Sequence, residues 1–337
     1  MDTAVVILNW NGLEMLKTYL PALVERTAAP DVFIVVADNG STDGSVQWLE
    51  ENWPQVRLVT LDRNYGFTGG YNRALREIDA DYYVLLNSDV EVGQGWLQPL
   101  VGFMEEHPDV GVCQPKVLSI AERDRFEYAG AAGGFIDRYG YPFCRGRILS
   151  NLETDRGQYD APVECFWATG ACMVVRSSLY HHLGGLDESF FAHMEEIDFC
   201  WRAKLLGYSV WCIPSSTVWH VGGGTLPNNS PRKLYFNYRN NLLMLYKNLP
   251  ESVRRSRIFI RMCLDGASAA VYLVTGRRQY FKSVVKAHRD YRRMRRQTDI
   301  SPFEKERGDI GLYDGSIVLK FFLSGKKLLW SDVERDL

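Results

Sequence analysis

The chain has 337 residues, enough for about two domains or for one large domain with an appendage. Its 46% apolar, 24% charged and 13% aromatic residues are typical of a globular protein and exclude a disordered, collagen-like or low-complexity chain. The net charge of −2 conceals a basic segment, residues 254–296. This segment has thirteen Arg and Lys residues and two Asp residues, a charge of +11, so the rest of the chain has a charge of −13. Such a division of charge is typical of a protein that contacts an anionic partner.

Strand and helix patterns alternate over the first hundred residues. Short β-branched runs predict strands over residues 3–8, 32–37, 56–61 and 82–86. Between them, apolar residues at helical spacing predict helices over residues 13–26, 45–53 and 68–78. This alternation indicates right-handed crossovers and a Rossmann-like, mostly parallel central sheet flanked by helices, an α/β fold.

Polar side chains follow each of the four predicted strands. They are Asn9, Asn11, Asp38, Asn39, Asp62, Asn64, Asn87 and Asp89. In an open parallel sheet these carboxyl ends share one crevice, where ligands bind. Turn formation and capping would explain any one of them, but they do not require an acid after every later strand. The absence of a G-x-G-x-x-G or P-loop motif argues against a dehydrogenase or a P-loop enzyme.

The second half holds further strand patterns, over residues 110–117, 172–176 and 208–213, and two candidate sites. A predicted helix begins with Glu195, Glu196 and Asp198. The helix dipole alone would favour acids at this position; the alternative is that one carboxylate is held there for a functional site. His220 ends a strand beside a run of glycines, as a packed residue or as a metal ligand. Seven cysteines without a C-x-x-C pair fit reduced thiols in the cytoplasm.

The N-terminus predicts no signal peptide, and the longest apolar stretch, residues 258–275, contains Arg261 and Asp265, so we predict no transmembrane helix. Residues 241–337 are instead expected to form a basic, amphipathic helical region that lies on an anionic membrane surface. The alternative is that these helices present a solvated, charged face that contacts no membrane. Nucleic-acid binding is not expected, because the sequence contains no recognised nucleic-acid-binding motif.

Eight ordered motifs between about residues 3 and 245 resemble glycosyltransferase family two, in its rhamnosyltransferase-like branch of bacterial polysaccharide enzymes. They are residues 5–12, 37–45, 64–72, 85–90, 169–176, 184–191, 195–202 and 220–224. The resemblance implies a GT-A fold over residues 1–240, with a nucleotide-sugar half (1–109) and an acceptor half (110–240), followed by the helical extension.

The resemblance also implies roles for individual residues. The nucleotide-sugar would be bound by Asn9, Asn11, Asp38, Asn39, Asn64, Gly66, Asn72, Arg73 and Asn87. Mg²⁺ or Mn²⁺ would be held by Asp89 and His220, and the imidazole favours Mn²⁺. Asp89 is the last acid of the sequence Asn87-Ser88-Asp89, which lacks the family's first acid. Glu196 would be the catalytic base, with Asp198 as the alternative.

The implied reaction is the metal-dependent, inverting transfer of a sugar to a hydroxyl of a polysaccharide or lipid-linked glycan. The expected donor is dTDP-rhamnose first and a UDP-sugar second. The enzyme would be cytoplasmic and attached to the inner face of the cell membrane, with homo-oligomer formation left open. Two other hypotheses remain: a catalytically silent nucleotide-sugar binding module of the same fold, and a nucleotidyltransferase that makes nucleotide-sugars.

Overall fold

The computed structural model describes residues 1–222, 230–300 and 310–337. In chain order the strands of these residues are β1 (Thr3–Asn9), β2 (Val32–Asp38), β3 (Arg57–Thr60), β4 (Tyr82–Asn87), β5 (Val90–Val92), β6 (Val110–Ser119), β7 (Gly134–Ile136), β8 (Pro142–Cys144), β9 (Arg147–Ile148), β10 (Asn151–Leu152), β11 (Val163–Cys165), β12 (Cys172–Arg176) and β13 (Ser209–His220). The helices are α1 (Leu13–Thr27), α2 (Ser45–Asn52), α3 (Gly66–Ala74), α4 (Gln98–Glu106), α5 (Ser177–His182), α6 (Glu195–Leu205), α7 (Pro231–Asn248), α8 (Glu251–Val274), α9 (Arg278–Met294) and α10 (Ile317–Leu323).

The central sheet confirms the predicted α/β fold. Its strand order is β11-β13-β6-β12-β4-β1-β2-β3, and β5 pairs with β13. The four N-terminal strands β1 to β4 pair in parallel, as predicted, whereas β12 runs antiparallel between β4 and β6. A smaller antiparallel sheet, β10-β9-β8-β7, lies beside it in the chain's second half.

Burial explains why the first strands form. Strands β1 and β4 are buried almost throughout, as expected of parallel strands that are covered on both faces, so they are near-continuous apolar runs. Helix α1 buries Leu16, Leu20 and Leu23, which recur at helical spacing and form one apolar stripe. The parallel register sets Asn9 opposite Asp38, which brings the ends of β1 and β2 together.

The helical extension begins before the predicted boundary at residue 240. That residue lies inside α7, which continues from Pro231 to Asn248, so the division into domains stays a prediction. Within the described residues, no helix is both long enough and apolar enough to cross a bilayer. All seven cysteines are free thiols, and only Cys263 is exposed.

Candidate active site

An acid and a histidine from distant parts of the chain meet beside the carboxyl end of β4. Asp89 lies between β4 and β5, and the antiparallel pairing of Val90 with His220 brings it to the last residue of β13. Asp89 Oδ1 lies 3.1 Å from His220 Nε2, and Asn87 Nδ2 lies 3.5 Å from the same nitrogen. Asp89 and His220 are 8% and 7% exposed, so both side chains are buried almost completely. The structure therefore brings the predicted metal ligands together.

A second carboxylate faces the other nitrogen of this imidazole. Glu127 Oε1 lies 3.8 Å from His220 Nδ1, which has no hydrogen-bond partner. Burial alone would lower the pKa of His220, but the hydrogen bond with Asp89 and the charges of Asp89 and Glu127 raise that pKa to about 10. Without a metal, a proton is therefore held between two carboxylates, which is a position suited to a cation.

The donor set fits a divalent cation that is also bound by the substrate. Two adjacent ligands of an octahedral ion at roughly 2.1 Å lie about 3.0 Å apart, close to the separation of Asp89 Oδ1 and His220 Nε2. In the described part of the chain, no three His, Cys, Asp or Glu side chains are grouped to hold an ion alone. Phosphate and water oxygens would have to complete the shell. Glu127 resembles the carboxylate that orients a ligating histidine through its second nitrogen.

The ends of β1 and β2 form a cluster of polar side chains. Asn9 Nδ2 donates to Asp38 Oδ2 (2.9 Å) and to Ser41 Oγ (3.2 Å), and the backbone N–H of Ser41 donates to Asp38 Oδ1. The buried Asn9 Oδ1 has no partner, and a Cβ on Gly12 would lie 2.5 Å from it. An acceptor that is buried without a partner suits a ligand N–H. Asn11 has a φ of 50° and accepts from the backbone N–H of Thr42.

The turn between β3 and α3 is built by two of the predicted donor-binding residues. Asn39 Nδ2 donates to Asn64 Oδ1 and to the Gly66 carbonyl, and Asn39 Oδ1 accepts from the N–H of Tyr65. Asn64 Oδ1 also accepts from the N–H of Gly66 at 2.7 Å. Gly66 has a φ of 75°, and the ring of Phe191 occupies the space that a side chain would need. These asparagines set the shape of the crevice wall.

Asn72 and Arg73 join α3 to residues 180–188. Asn72 donates to the Leu186 carbonyl and accepts from Tyr180 Oη and from the Leu186 N–H. Its amide also approaches Glu188 at 3.4 Å, so a direct contact with a nucleotide would have to replace one of these bonds. Arg73 pairs with Glu188 at 3.0 Å and lies over the ring of Tyr65.

Two glutamates begin α6 with unpartnered carboxylate oxygens. Glu195 Oε2 and Glu196 Oε2 are buried without a hydrogen-bond partner. Burial and the charge of Glu196 raise the pKa of Glu195 well above its usual range. Burial likewise raises the pKa of Glu196 to about 7, against the opposing effect of backbone groups at the helix start. A carboxyl that titrates near neutral pH suits a general base.

Asp198 has a different environment. It is fully buried, its Oδ2 accepts from Arg202 Nε (2.8 Å) and Lys247 Nζ (3.0 Å), and its Oδ1 accepts from Asn248 Nδ2 (2.8 Å). These contacts join α6 to α7. The geometry therefore favours Glu196 over Asp198 for proton transfer.

Two further charged residues belong to this region and were missed by sequence reasoning. Glu127 belongs to no recognisable motif. Tertiary hydrogen bonds join its segment to β6, from the N–H of Glu127 to the Val117 carbonyl and from the N–H of Ser119 to the Arg125 carbonyl. Lys233, in the first turn of α7, acts electrostatically on both Glu127 and Glu196, and burial lowers its pKa. Residues 223–229, which precede α7 and include part of the 220–224 motif, lie outside the described residues.

Solved structures with this fold define its class. The chain aligns with GalNAc-T7, described with UDP, GalNAc and Mn²⁺, at a TM-score of 0.58 and 16% identity, covering 73% of this chain and 48% of that one. It aligns with Staphylococcus aureus TarS 1-349 in complex with UDP-GlcNAc at a TM-score of 0.56 and 16% identity, covering 85% and 81%. The molecule therefore has a GT-A fold.

The family follows from the sequence itself. The model of glycosyl transferase family 2 matches residues 4–184, more than half of the chain, and the protein belongs to that family. Among curated relatives, the N-acetylglucosaminyl-diphospho-decaprenol L-rhamnosyltransferase of Mycobacterium tuberculosis is 29% identical over 235 residues, which cover 64% of this chain and 75% of the relative. The predicted family and fold are confirmed.

Proposed function

We propose that this glycosyltransferase is metal-dependent and inverting, and that it transfers rhamnose from dTDP-rhamnose to a hydroxyl of a polysaccharide or lipid-linked glycan. A UDP-sugar is the second candidate donor. The observation that carries the proposal is the presence of two sets of functional groups: the Asp89–His220 pair beside β4, and Glu196 on α6, whose Oε2 is buried without a hydrogen-bond partner. The name of the mycobacterial relative supports rhamnose.

In this proposal the first half of the chain holds the donor. Asp38 and Asn9 bind the pyrimidine, with Asn11 and Asn39 beside the nucleoside. The turn at Asn64 and Gly66, with Asn72, Arg73 and Asn87, lines the ribose and the diphosphate. Asp89 and His220 hold Mg²⁺ or Mn²⁺, which when bound stabilises the negative charge of the leaving diphosphate.

The carboxylate of Glu196 accepts the proton of the acceptor hydroxyl. The acceptor oxygen forms a bond to the anomeric carbon while the bond from that carbon to the diphosphate oxygen breaks. The nucleoside diphosphate leaves with the electron pair of that bond. Because a single displacement occurs and no protein nucleophile attacks the sugar, the anomeric configuration inverts.

A donor panel tests this function. With Mn²⁺ and an acceptor glycan, dTDP-rhamnose should release dTDP faster than UDP-sugars release UDP, EDTA should stop the release, and NMR should show an inverted anomeric centre. Tight donor binding without turnover on any acceptor or water would instead indicate the silent module. Release of pyrophosphate from dTTP and rhamnose 1-phosphate would indicate a nucleotidyltransferase.

We further propose that the helical hairpin α8–α9 attaches the enzyme to the anionic, cytoplasmic face of a membrane. In α8 the charged Arg261 and Asp265 are buried and pair with each other at 2.7 Å, and Asp265 also contacts His288 of α9. The exposed residues of α8 from position 259 onward are all uncharged. They are Phe259, Ile260, Cys263, Gly266, Ala267, Ala270, Val271, Leu273 and Val274. This face is about 22 Å long.

Helix α9 and its flanks supply the charge. Both acids of the basic segment, Asp265 and Asp290, are buried, so its exposed charge is positive. The exposed cations are Arg255, Arg277, Arg278, Lys282, Lys286, Arg289, Arg292, Arg293, Arg295 and Arg296. An apolar face beside a polybasic one is the two-signal arrangement that peripheral membrane attachment needs. Ile258, the first residue of the longest apolar stretch, packs inward and does not belong to this face.

Reversing three of these charges should weaken vesicle binding. Because each cation near anionic lipid contributes about 1 kcal/mol, Arg278→Glu with Lys282→Glu and Arg292→Glu should lower the affinity for phosphatidylglycerol-containing vesicles on the order of 100-fold in flotation assays. The control reverses the exposed Arg156, Lys327 and Arg335. Equal vesicle binding by the two triple variants would contradict the proposal. So would a dimer that buries the apolar face of α8 and does not bind vesicles.

A further inference from the structure

The segment that leads into α6 has a backbone that is costly for its sequence. Phe191, His193 and Met194 all have positive φ values, 66°, 69° and 73°. None is a glycine, and each residue held in this region costs on the order of 1 kcal/mol or more. Such a conformation persists only where the surroundings determine it. Residues 189–194 are here called the α6 entry loop.

Two adjacent side chains of α7 bind this loop by its carbonyl groups. Asn240 Nδ2 lies 3.0, 2.8 and 2.7 Å from the carbonyl oxygens of Phe190, Ala192 and His193. Arg239 Nη2 donates to the carbonyls of Ser189 (3.0 Å) and Phe190 (2.9 Å). The two are joined, because Arg239 Nε donates to Asn240 Oδ1 at 2.8 Å.

The carbonyls of the loop are thereby fully used. Phe191, whose carbonyl Arg239 and Asn240 do not reach, accepts from the N–H of Phe67, and the Met194 carbonyl accepts from the N–H of Asp198 inside α6. Arg239 and Asn240 are 8% and 0% exposed, so their bonds form away from water, where a lost partner is expensive. The loop is held on one side by α7 and on the other by the turn that begins α3.

The loop ends where the proposed base begins. Met194 is the last residue before α6, and Glu196 is the second residue of the helix. A displacement of the loop therefore moves the Glu196 carboxyl and admits water to it. An error of about 1 Å in placing a catalytic group can cost on the order of 100-fold in rate.

We propose that Arg239 and Asn240 are positioning residues for sugar transfer, which hold the strained α6 entry loop so that Glu196 stays buried and aimed at the acceptor hydroxyl. The inference rests on the proposed role of Glu196 as base. Neither residue reaches the reacting atoms; both act through the loop. The ionisable groups that interact with Glu196 are Glu195 and Cys200 on its own helix and Lys233 from α7.

The test compares Asn240→Ala with Asn241→Ala. Asn241 is the next residue of the same helix and is equally buried, but it bonds Gly140 and Arg261 and reaches the loop only at the sulfur of Met194, 4.0 Å away. Asn240→Ala should lower kcat for transfer about 100-fold and change the donor KM less than about threefold. Hydrogen exchange should accelerate at residues 190–197 in this variant and not in Asn241→Ala.

The pH profile separates positioning from general destabilisation. Burial raises the pKa of Glu196, so exposure of its carboxyl should return that pKa toward the ordinary value of 4.5. A base acts when deprotonated, so the acid limb of kcat should move to lower pH in Asn240→Ala and stay in place in Asn241→Ala. Arg239→Lys, which retains the charge but loses the planar fork, should show the same shift to a smaller degree if Asn240→Ala does not fold.

Two results would overturn the inference. One is faster exchange in the loop with kcat and its acid limb unchanged; the other is the same loss of kcat in Asn240→Ala and Asn241→Ala without a shift of the limb. Failure of the proposed function is distinguishable, because Glu196→Gln would then remain active whatever Asn240→Ala does.

Discussion

Asp89→Ala should remove both metal-dependent nucleotide binding and sugar transfer. Asp89 is the acid whose Oδ1 lies 3.1 Å from His220 Nε2, and the remaining imidazole would have to hold the cation alone. We expect the Mn²⁺-dependent increase in melting temperature with dTDP or UDP to disappear, and transfer to fall on the order of 1000-fold or more, in line with losing a major electrostatic contribution to the leaving group. Isothermal titration measures the metal and nucleotide affinities without turnover.

Graded variants distinguish a ligand from a merely structural acid. Asp89→Asn retains an acceptor for His220 but not the charge, and it should be as inactive as Asp89→Ala. Glu127→Gln should lower metal affinity by about 10 to 100-fold while saturating Mn²⁺ restores transfer, because Glu127 only orients the imidazole. Glu91, two residues along and paired with Arg123 at 2.9 Å, supplies the control Glu91→Ala. An undiminished Mn²⁺ response in Asp89→Ala would exclude Asp89 as a ligand.

The part of the candidate site at the ends of β1 and β2 could be predicted from the sequence, because it depends on the order of strands along the chain. Parallel strands with polar ends must place those ends together, and Asn9 does lie opposite Asp38. The predicted strands differ from the observed ones by a residue or two, as in β4, which was expected over 82–86 and ends at Asn87. Such differences arise because the ends of strands are set by neighbouring strands.

The rest of the site depends on contacts that no local pattern reports. Strand β13, expected over residues 208–213, continues to His220, because β6 and the short β5 pair with its second half. The same pairing delivers Asp89 to the histidine. Glu127 and the two α7 residues Arg239 and Asn240 enter the site through tertiary hydrogen bonds only.

The hydrogen-bond partners in the fold distinguish two acids of α6 that the sequence could not rank as the catalytic base. The helix dipole favours all three acids at the start of α6, so Glu196 and Asp198 could not be ranked from their positions. In the fold, Asp198 receives two cations and an amide, whereas Glu196 keeps an unpartnered oxygen. The difference comes from Lys247 and Asn248, some fifty residues further on, which no reading of α6 could supply.

Glu196→Gln should abolish transfer and leave donor binding intact. Glutamine retains the shape of the side chain but cannot accept the hydroxyl proton, so kcat should fall about 100 to 10,000-fold, the usual range for a general base. The affinity for the nucleotide-sugar with Mn²⁺, measured by titration, should remain within about threefold of the parent value. Full activity would place the base elsewhere.

The same variant should be more stable than the parent protein at alkaline pH. The pKa of Glu196 is raised on folding from 4.5 to about 7 by burial, so the folded protein binds the proton more tightly than the unfolded chain. This contribution to stability is fully present below about pH 4.5 and is lost as the pH rises through 7. Because glutamine does not ionise, the melting temperature of Glu196→Gln should exceed that of the parent at pH 8 and approach it near pH 4.

Asp198→Asn gives the opposite result and so separates the two candidate bases. Removing this carboxylate leaves Arg202 buried without its anion and leaves Lys247 with Asp187 alone, which should destabilise the fold by about 3 to 5 kcal/mol. Its melting temperature should fall at pH 8, where that of Glu196→Gln rises. An acid whose replacement stabilises the protein and stops catalysis is held in place for chemistry, whereas one whose replacement unfolds the protein is held for structure. If Asp198→Asn were stable and inactive and Glu196→Gln active, the base would be Asp198.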